Sequence, residues 1–239
     1  FCFIADDMDV NLHLDQANSL IDIADTLHAG IHINKIFTDA YKKIKVPGGT
    51  RFPDVNTQIK RQVDQGALIV NYTGHGGLIA LALEVILDVP TIRAFENINN
   101  MPLFITATCE FSRFDNPQFV SAGEYLFLNK NGGGIALMTT TREAFAHANI
   151  VVNRRFYQNL MVTDKGKTPR LGDLVRLSKI PSNTNYLNFV LLGDPALKLA
   201  FPENEVVTET INSLAVNGQA DTIHALSEVT VSGTIKDIE

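Results

Sequence analysis

PLFITATCEFSRFD, residues 102–115, decides how the rest of the chain is read. An apolar, β-branched run of the sort that forms a buried strand reaches Cys109, and a polar, turn-prone segment follows at once. Upstream, Gly66-Ala-Leu-Ile-Val-Asn-Tyr-Thr73 repeats the design and runs into Gly74-His75-Gly76-Gly77. Set as parallel neighbours in one sheet, the two runs carry imidazole and thiol out on the same edge, the arrangement of a cysteine nucleophile with its histidine base. Each residue alone has a plainer reading. A single Cys is ordinarily a small buried hydrophobe, and a single His a satisfied core or surface residue.

Outward from this pair the chain alternates strand and helix. Phe1 to Ala5 reads as the first core strand, with Asp6 and Asp7 at its end, and Asp9 to His28 as a helix stopped by Gly30. Ile31 to Phe37 reads as a strand, Val46 to Thr50 as a loop, Asp54 to Gln65 as an amphipathic helix and Ala67 to Tyr72 as a strand. Leu78 to Leu87 is apolar and ambiguous, Thr91 to Ile98 a short helix, and Leu103 to Thr108 the strand that ends at the thiol. Ser121-Ala-Gly-Glu124 has the capping-box pattern, so a helix begins there and ends by Asn131-Gly132. A strand over Gly134 to Thr139, helices over Glu143 to Met161 and Thr168 to Ile180, and strands over Asn188 to Leu192 and Leu197 to Phe201 complete the pattern. This rhythm is that of a mostly parallel α/β sheet flanked by helices. At Pro202 the helical period disappears, and Val229 to Ile235 alternates like the opening strands of a β-sandwich. The expected division is therefore residues 1–202 as the α/β domain and 203–239 as an incomplete immunoglobulin-like β module.

The 239 residues are 45% hydrophobic, enough for one sizeable core with a small appendage and too apolar for a disordered chain. A net charge of -6 without any Lys/Arg-rich run argues against nucleic acid as a partner. Cys2 and Cys109 are the only cysteines, so there is no disulfide framework, and a bridge between them would cost Cys109 its nucleophilicity. The longest apolar stretch, Leu78 to Leu87, is interrupted by Glu84 and too short to cross a bilayer. The chain opens in mid-strand without Met and is read as a piece of a longer protein.

In a parallel α/β sheet, ligands gather beyond the carboxyl ends of the strands. His75 beside Cys109 would take the thiol proton as attack begins. Gly76 and Gly77 let the backbone approach a scissile carbonyl, so that the Gly76 and Cys109 N–H groups form an oxyanion hole; the bland alternative is a tight turn. Asp6, Asp7 or Asp15 could orient His75, or stay solvated and cap the first helix. Glu110 is expected to turn away from the thiol, toward a substrate amine or Arg113. Thr141 and Arg142, at the end of the fifth strand, are candidate substrate contacts, with a plain surface Arg the commoner outcome. His147 is left structural. No Cys/His cluster has zinc-ligand spacing, so no metal site is expected. Gly132-Gly-Gly134 lacks the Lys-Ser/Thr of a phosphate loop. No cofactor is expected, and a structural calcium ion stays open.

Asn71-Tyr-Thr-Gly-His-Gly-Gly77, Ala107-Thr-Cys-Glu110 and Leu192-Gly-Asp-Pro195 together resemble the gingipain-type (C25) cysteine peptidases, which share the caspase-like fold. The strings TATCEFSRFD, SAGE, ALMTTTR, ADD and NLHLDQA are more similar to the sortase branch of the type IX secretion system, the PorU branch, over residues 1 to about 202. The resemblance implies His75 and Cys109 as the catalytic pair. It implies substrates that are exported proteins bearing a C-terminal signal domain, which is removed, with the new terminus passed to water or to a surface glycolipid such as lipopolysaccharide. It further implies other secretion components as partners and a place at the outer membrane or cell surface of a Gram-negative bacterium. One departure stands out: where the family has a polar residue and then Trp after GHGG, this chain has Leu78-Ile-Ala-Leu-Ala-Leu83 and no Trp at all. That departure keeps one rival in view, a non-catalytic caspase-like scaffold that binds secretion substrates; another is a general secreted protease with Arg or Lys specificity.

Overall fold

The structure, a computed structural model, describes all residues except 28–30, 161–167, 203, 217–221 and 238–239. The chain divides into two compact units, Phe1–Leu199 and Ala200–Glu239.

In chain order the first unit runs β1 (Cys2–Ala5), α1 (Leu12–Leu27), β2 (Asn34–Phe37), the hairpin β3 (Ile44–Val46) and β4 (Gly49–Arg51), α2 (Pro53–Gln65), β5 (Ile69–Thr73), the short hairpin β6 (Ala80–Leu81) and β7 (Leu87–Asp88), α3 (Val89–Arg93), β8 (Leu103–Ala107), α4 (Ala122–Phe127), β9 (Ala136–Thr140), α5 (Ala146–Leu160), α6 (Leu171–Ser178), α7 (Thr184–Leu187) and β10 (Phe189–Leu192). The central sheet has the order β10-β9-β8-β5-β1-β2, parallel throughout except for the antiparallel edge strand β10. A parallel sheet must be covered on both faces. Cys2, Ile4, Val70, Tyr72 and Phe104 point to one side, where Val55, Ile59 and Val63 of α2, Ile92 of α3 and Leu126 of α4 pack on them. Ala5 points to the other, against Leu14 and Ala17 of α1. Asn71 also faces that way and exchanges hydrogen bonds of 2.8 and 3.2 Å with Asn153 of α5, tying the middle of the sheet to its helix.

α2 shows the local logic. Pro53 opens it, Val55, Ile59 and Val63 put one buried stripe on the sheet, and Gly66 at φ +95° ends it. Each of those three side chains contributes about 1.5–3 kcal/mol through burial. The chain moves from β1 outward to β2 and then restarts on the other side of β1 with β5. Strand order therefore reverses between β1 and β5, and a crevice is expected beyond their carboxyl ends.

Several elements differ from the sequence reading. Leu197 to Phe201 forms no strand beyond the isolated bridge Arg170–Lys198. Its first carbonyl and that of the preceding Pro195 serve α6 instead: Leu197 O accepts from Leu171 N–H at 2.8 Å and Pro195 O from Gly172 N–H at 3.0 Å. The short helix expected over Thr91 to Ile98 starts earlier, because Asp88 caps it by accepting from Thr91 N–H at 2.9 Å, and it ends at Arg93. The helix expected from Glu143 begins at Ala146, and its expected end at Met161 lies outside the described residues. The first helix begins at Leu12, not Asp9, and its expected end at His28 and Gly30 also lies outside them. The Val46 to Thr50 loop is the turn of β3–β4.

The second unit is an antiparallel sheet of β11 (Asn204–Ile211), β12 (Leu214–Ala215) and β13 (Val231–Asp237), in the order β12-β11-β13. None of the described residues in these strands is buried. Among the described residues, no helix is long and apolar enough to cross a membrane.

Candidate active site

β5 and β8 are hydrogen-bonded parallel neighbours in which Thr73 pairs with Ala107. His75 and Cys109 each lie two positions beyond that pair, so both side chains sit on the carboxyl edge of the sheet. Gly74 N–H donates to Ala107 O at 3.4 Å and carries the ladder one step past the strands.

On the β8 side, Cys109 is a half-buried free thiol whose Sγ donates to Ala144 O at 3.6 Å. The chain then bends at Glu110, which takes a left-handed φ of +32°. β9 and the residues after it hold the bend: Glu110 N–H donates to Arg142 O at 3.2 Å and Ser112 N–H to Thr140 O at 3.0 Å. Beneath them runs a chain of buried hydroxyls, with Thr106 Oγ1 donating to Thr139 Oγ1 at 2.7 Å and Ser112 Oγ 2.9 Å from the same atom.

On the β5 side, the buried carboxylate of Asp6 holds the histidine loop. Asp6 accepts from His75 N–H at 2.6 Å, from the Tyr72 hydroxyl at 3.0 Å and from Met8 N–H at 3.3 Å. The Tyr72 hydroxyl also lies 2.5 Å from His75 O. Burial, and then the charge of Asp6, pushes the Tyr72 phenol well above its ordinary value, so it remains a donor. Two glycines make this fit. A side chain on Gly74 would collide with the Tyr72 hydroxyl and the Asp6 carboxylate, and one on Gly76 with Thr108 Oγ1 of the neighbouring loop. Beyond them, Gly77 N–H bonds Ala80 O at 3.0 Å and Ala82 N–H bonds His75 O at 2.7 Å, which leaves the Gly76 N–H out of the hairpin. Neither the Gly76 nor the Cys109 N–H has a partner among the described residues.

The His75 ring meets a third group. Its Nε2 lies 2.9 Å from Oδ2 of Asp9. Asp9, Val10 and Asn11 all have left-handed φ, at +54°, +56° and +64°. None is glycine, and each such residue costs about 1–3 kcal/mol, most of all the β-branched Val10. The turn ends where α1 begins, and there His13 sets its ring edge-on to His75 with centroids 5.1 Å apart. With Asp9 accepting from Nε2–H, the ring's Nδ1 keeps its lone pair and can take a thiol proton.

The carboxylates anticipated for His75 lie elsewhere. Asp6 binds the loop backbone. Asp7 is 3.4 Å from Lys43 Nζ, which also holds the buried Glu84 at 3.0 Å, and it accepts from Thr38 Oγ1 at 3.2 Å. Asp15 is exposed in the first turn of α1. Glu110 turns to Arg113, 2.9 Å away. Arg142 makes a bidentate pair with Asp115, at 2.9 and 2.5 Å, and Thr141 is tied to Asn188 O by its N–H at 2.9 Å. The sequence reading missed Asp9 and His13. Their i,i+4 spacing at a helix start is a signal that could have drawn them in; the left-handed turn that aims Asp9 at His75 is not one. The Leu78 to Leu83 departure lies beside the histidine loop, with Leu81 and Ala82 buried and Ile79 and Leu83 largely exposed.

The model of peptidase family C25 matches residues 1–200. Among solved structures, the Arg-specific cysteine proteinase gingipain R (RgpB) aligns with a TM-score of 0.63 at 15% identity, over 87% of this chain and 50% of that one. The complex of Porphyromonas gingivalis RgpB pro- and mature domains gives 0.61 at 15% identity, over 87% and 51%. A structure described as a protease gives 0.59 at 16% identity, over 86% and 50%. The chain thus spans about half the length of each of these three solved structures. No curated protein sequence matches it. The mixed α/β architecture with its mostly parallel, helix-flanked sheet is similar to the caspase-like fold of gingipain.

Proposed function

The chain belongs to peptidase family C25, and from that premise we propose that it is a cysteine peptidase in which Cys109 is the nucleophile and His75 the base. The observation that carries the reading is the β5–β8 pairing, which puts His75 and Cys109 at equivalent positions past Thr73 and Ala107. In the first step the thiol proton passes to His75 Nδ1 while sulfur attacks the scissile carbonyl carbon. The oxyanion takes the Gly76 and Cys109 N–H groups as donors, and the imidazolium is balanced by Asp9. His75 then returns its proton to the leaving amine, and the thioester on Cys109 is opened by water or by an acceptor amine. The exposed Ile79 and Leu83 offer an apolar wall to the substrate.

The finer reading rests on the sequence strings shared with the type IX sortase branch. In it the substrates are exported proteins whose C-terminal signal domain is cut off, the thioester is resolved by hydrolysis or by transfer to a surface glycolipid such as lipopolysaccharide, and the enzyme works at the outer membrane or cell surface alongside other secretion components. Cys109→Ala is expected to lower turnover about 10⁴-fold or more with an unchanged fold. Undiminished processing in that variant overturns the assignment. Mass spectrometry of the new C-terminus separates a free carboxylate, expected of simple proteolysis, from an amide, expected of transfer.

A further inference from the structure

We infer that Asp9, His13 and His75 form a binding site for a borderline divalent cation of the Zn²⁺ class, and that the ion switches the peptidase off by capturing its base. One ligand atom from each of the three residues lies within 4.8 Å of the other two. Asp9 Oδ2 is 2.9 Å from His75 Nε2 and 3.6 Å from His13 Nε2. A tetrahedral zinc ion with bonds of about 2.0 Å needs ligand atoms about 3.3 Å apart, so the set is close to the required spacing. Two imidazoles and one carboxylate suit zinc rather than calcium or magnesium, which take oxygen ligands.

His13 supplies the independent observation. The residue is only 3% exposed, and its Nε2 is a buried nitrogen with no hydrogen-bond partner, facing the Asp9 carboxylate from beyond bonding distance. Its other nitrogen lies 3.4 Å from Gln16 Oε1. Leaving a buried polar atom unsatisfied costs free energy that a ligand would recover. Nothing in the peptidase mechanism uses His13, yet it sits edge-on to the candidate base, one helical turn from Asp9.

The consequence for the enzyme follows from proton bookkeeping, and this half of the inference rests on His75 being the base. A neutral imidazole carries one proton. In the metal-free site that proton is on Nε2, shared with Asp9, and Nδ1 accepts from the thiol. An ion on Nε2 moves the proton to Nδ1, so the atom that should receive the Cys109 proton is already a donor. Asp9 is drawn onto the metal and no longer balances an imidazolium. No proton is gained or lost by the ring, and removal of the ion restores the working tautomer. Three protein ligands leave a fourth position for water.

The test uses the full chain, with zinc chloride titrated against a chromophoric chelator into wild type, Asp9→Asn, His13→Ala and Cys109→Ala. Wild type and Cys109→Ala are expected to bind one equivalent alike. Asp9→Asn and His13→Ala are expected to bind at least about 10- to 100-fold more weakly, the loss known for groups that only support a metal ligand. His13→Gln, which fills the buried site, replaces His13→Ala should the latter unfold. Equal affinity in the Asp9 and His13 variants, or loss of binding in Cys109→Ala alone, overturns the site, the second outcome placing the ion on the thiolate. Iodoacetamide labelling of Cys109 with and without zinc, each variant compared with its own metal-free rate, tests the switch. Wild type is expected to slow with zinc and recover with EDTA, and the His13 variant to lose that sensitivity. One-to-one binding with no slowing overturns the switch and leaves the site. Binding as described in a chain that cleaves no peptide counts against the peptidase reading instead.

Discussion

After β8 the chain turns at Glu110 and is held from β9 by neutral groups: backbone N–H to carbonyl bonds at Glu110 and Ser112, over the hydroxyls of Thr106, Ser112 and Thr139. After β5 it turns at Gly74 and is held by carboxylates, with Asp6 on the His75 backbone and Asp9 on its ring. The two loops meet at one sheet edge, yet their supports differ in charge. In the proposed reaction the Cys109 thiol becomes an anion, which a facing carboxylate would disfavour, and the carboxylate beside it in the loop, Glu110, is engaged by Arg113. In the same proposed reaction the His75 imidazole becomes a cation and gains from the fixed negative charge of Asp9. The carboxylate is thus placed on the histidine ring, where it favours the charge that forms, and turned aside on the cysteine side.

Removing the charged support should break the histidine loop far more than removing a hydroxyl breaks the cysteine loop. Asp6→Ala leaves the N–H groups of His75 and Met8 without their acceptor and takes one of two acceptors from the buried Tyr72 hydroxyl, which keeps His75 O. The expected loss is about 3 kcal/mol in urea unfolding, against about 1 kcal/mol for Ser112→Ala. Equal losses would dissolve the contrast. Asp9→Asn comes next. Asp9 is half-exposed, so stability should change by no more than about 0.5 kcal/mol. Turnover should fall on the order of 10- to 100-fold, part of what a general base contributes, with KM unchanged. An unaltered kcat would mean that Asp9 does not set the tautomer of His75.

The alternation of buried runs with amphipathic helices made the sheet legible, and two such runs ending at His75 and Cys109 made the sheet edge legible. What stayed hidden was decided by backbone geometry or by long-range partners. Asp9 reads as the start of a helix, because its aim at His75 depends on three consecutive left-handed residues that carry no glycine signal. Leu197 to Phe201 has strand-like composition, but the first turn of α6 recruits the Leu197 carbonyl, together with that of Pro195, as partners for its free N–H groups. Arg142 and Asp115, 27 positions apart, find each other only after β8 and β9 pair.

The chain's other thiol shows what full burial does to the same group. Cys2, the first residue of β1, is fully buried, and burial pushes its pKa from 9.0 up to about 12. A raised folded-state value means the contribution is intact below 9.0 and is lost as pH climbs toward 12, since the unfolded thiol ionises first. Stability should therefore fall by about 1.4 kcal/mol per pH unit in that window on account of this group alone. The slope should be shallower by that amount in Cys2→Ala. At pH 8 iodoacetamide should mark Cys109 and spare Cys2; a doubly labelled native chain would contradict the burial argument.

The smallest effect belongs to the rim of the cysteine loop. Arg142 donates to both oxygens of Asp115 and holds that carboxyl below its ordinary value, while Asp115 raises the guanidinium in return. Because the folded value of Asp115 is lowered, the pair is fully present above the ordinary carboxylate range and is lost only as pH falls through the lowered value. It stays closed in mildly acidic medium. Arg142 also contributes the carbonyl that fixes Glu110 N–H, so its backbone belongs to the loop whatever its side chain does. Asp115→Asn releases the guanidinium without touching that carbonyl. If Arg142 reads a carboxylate on the substrate, KM for an acidic peptide should drop a few-fold while kcat and the behaviour of the histidine loop stay as they were. An unchanged KM would leave Arg142 a clamp on the rim, its part in the cysteine loop confined to the carbonyl that holds Glu110 N–H.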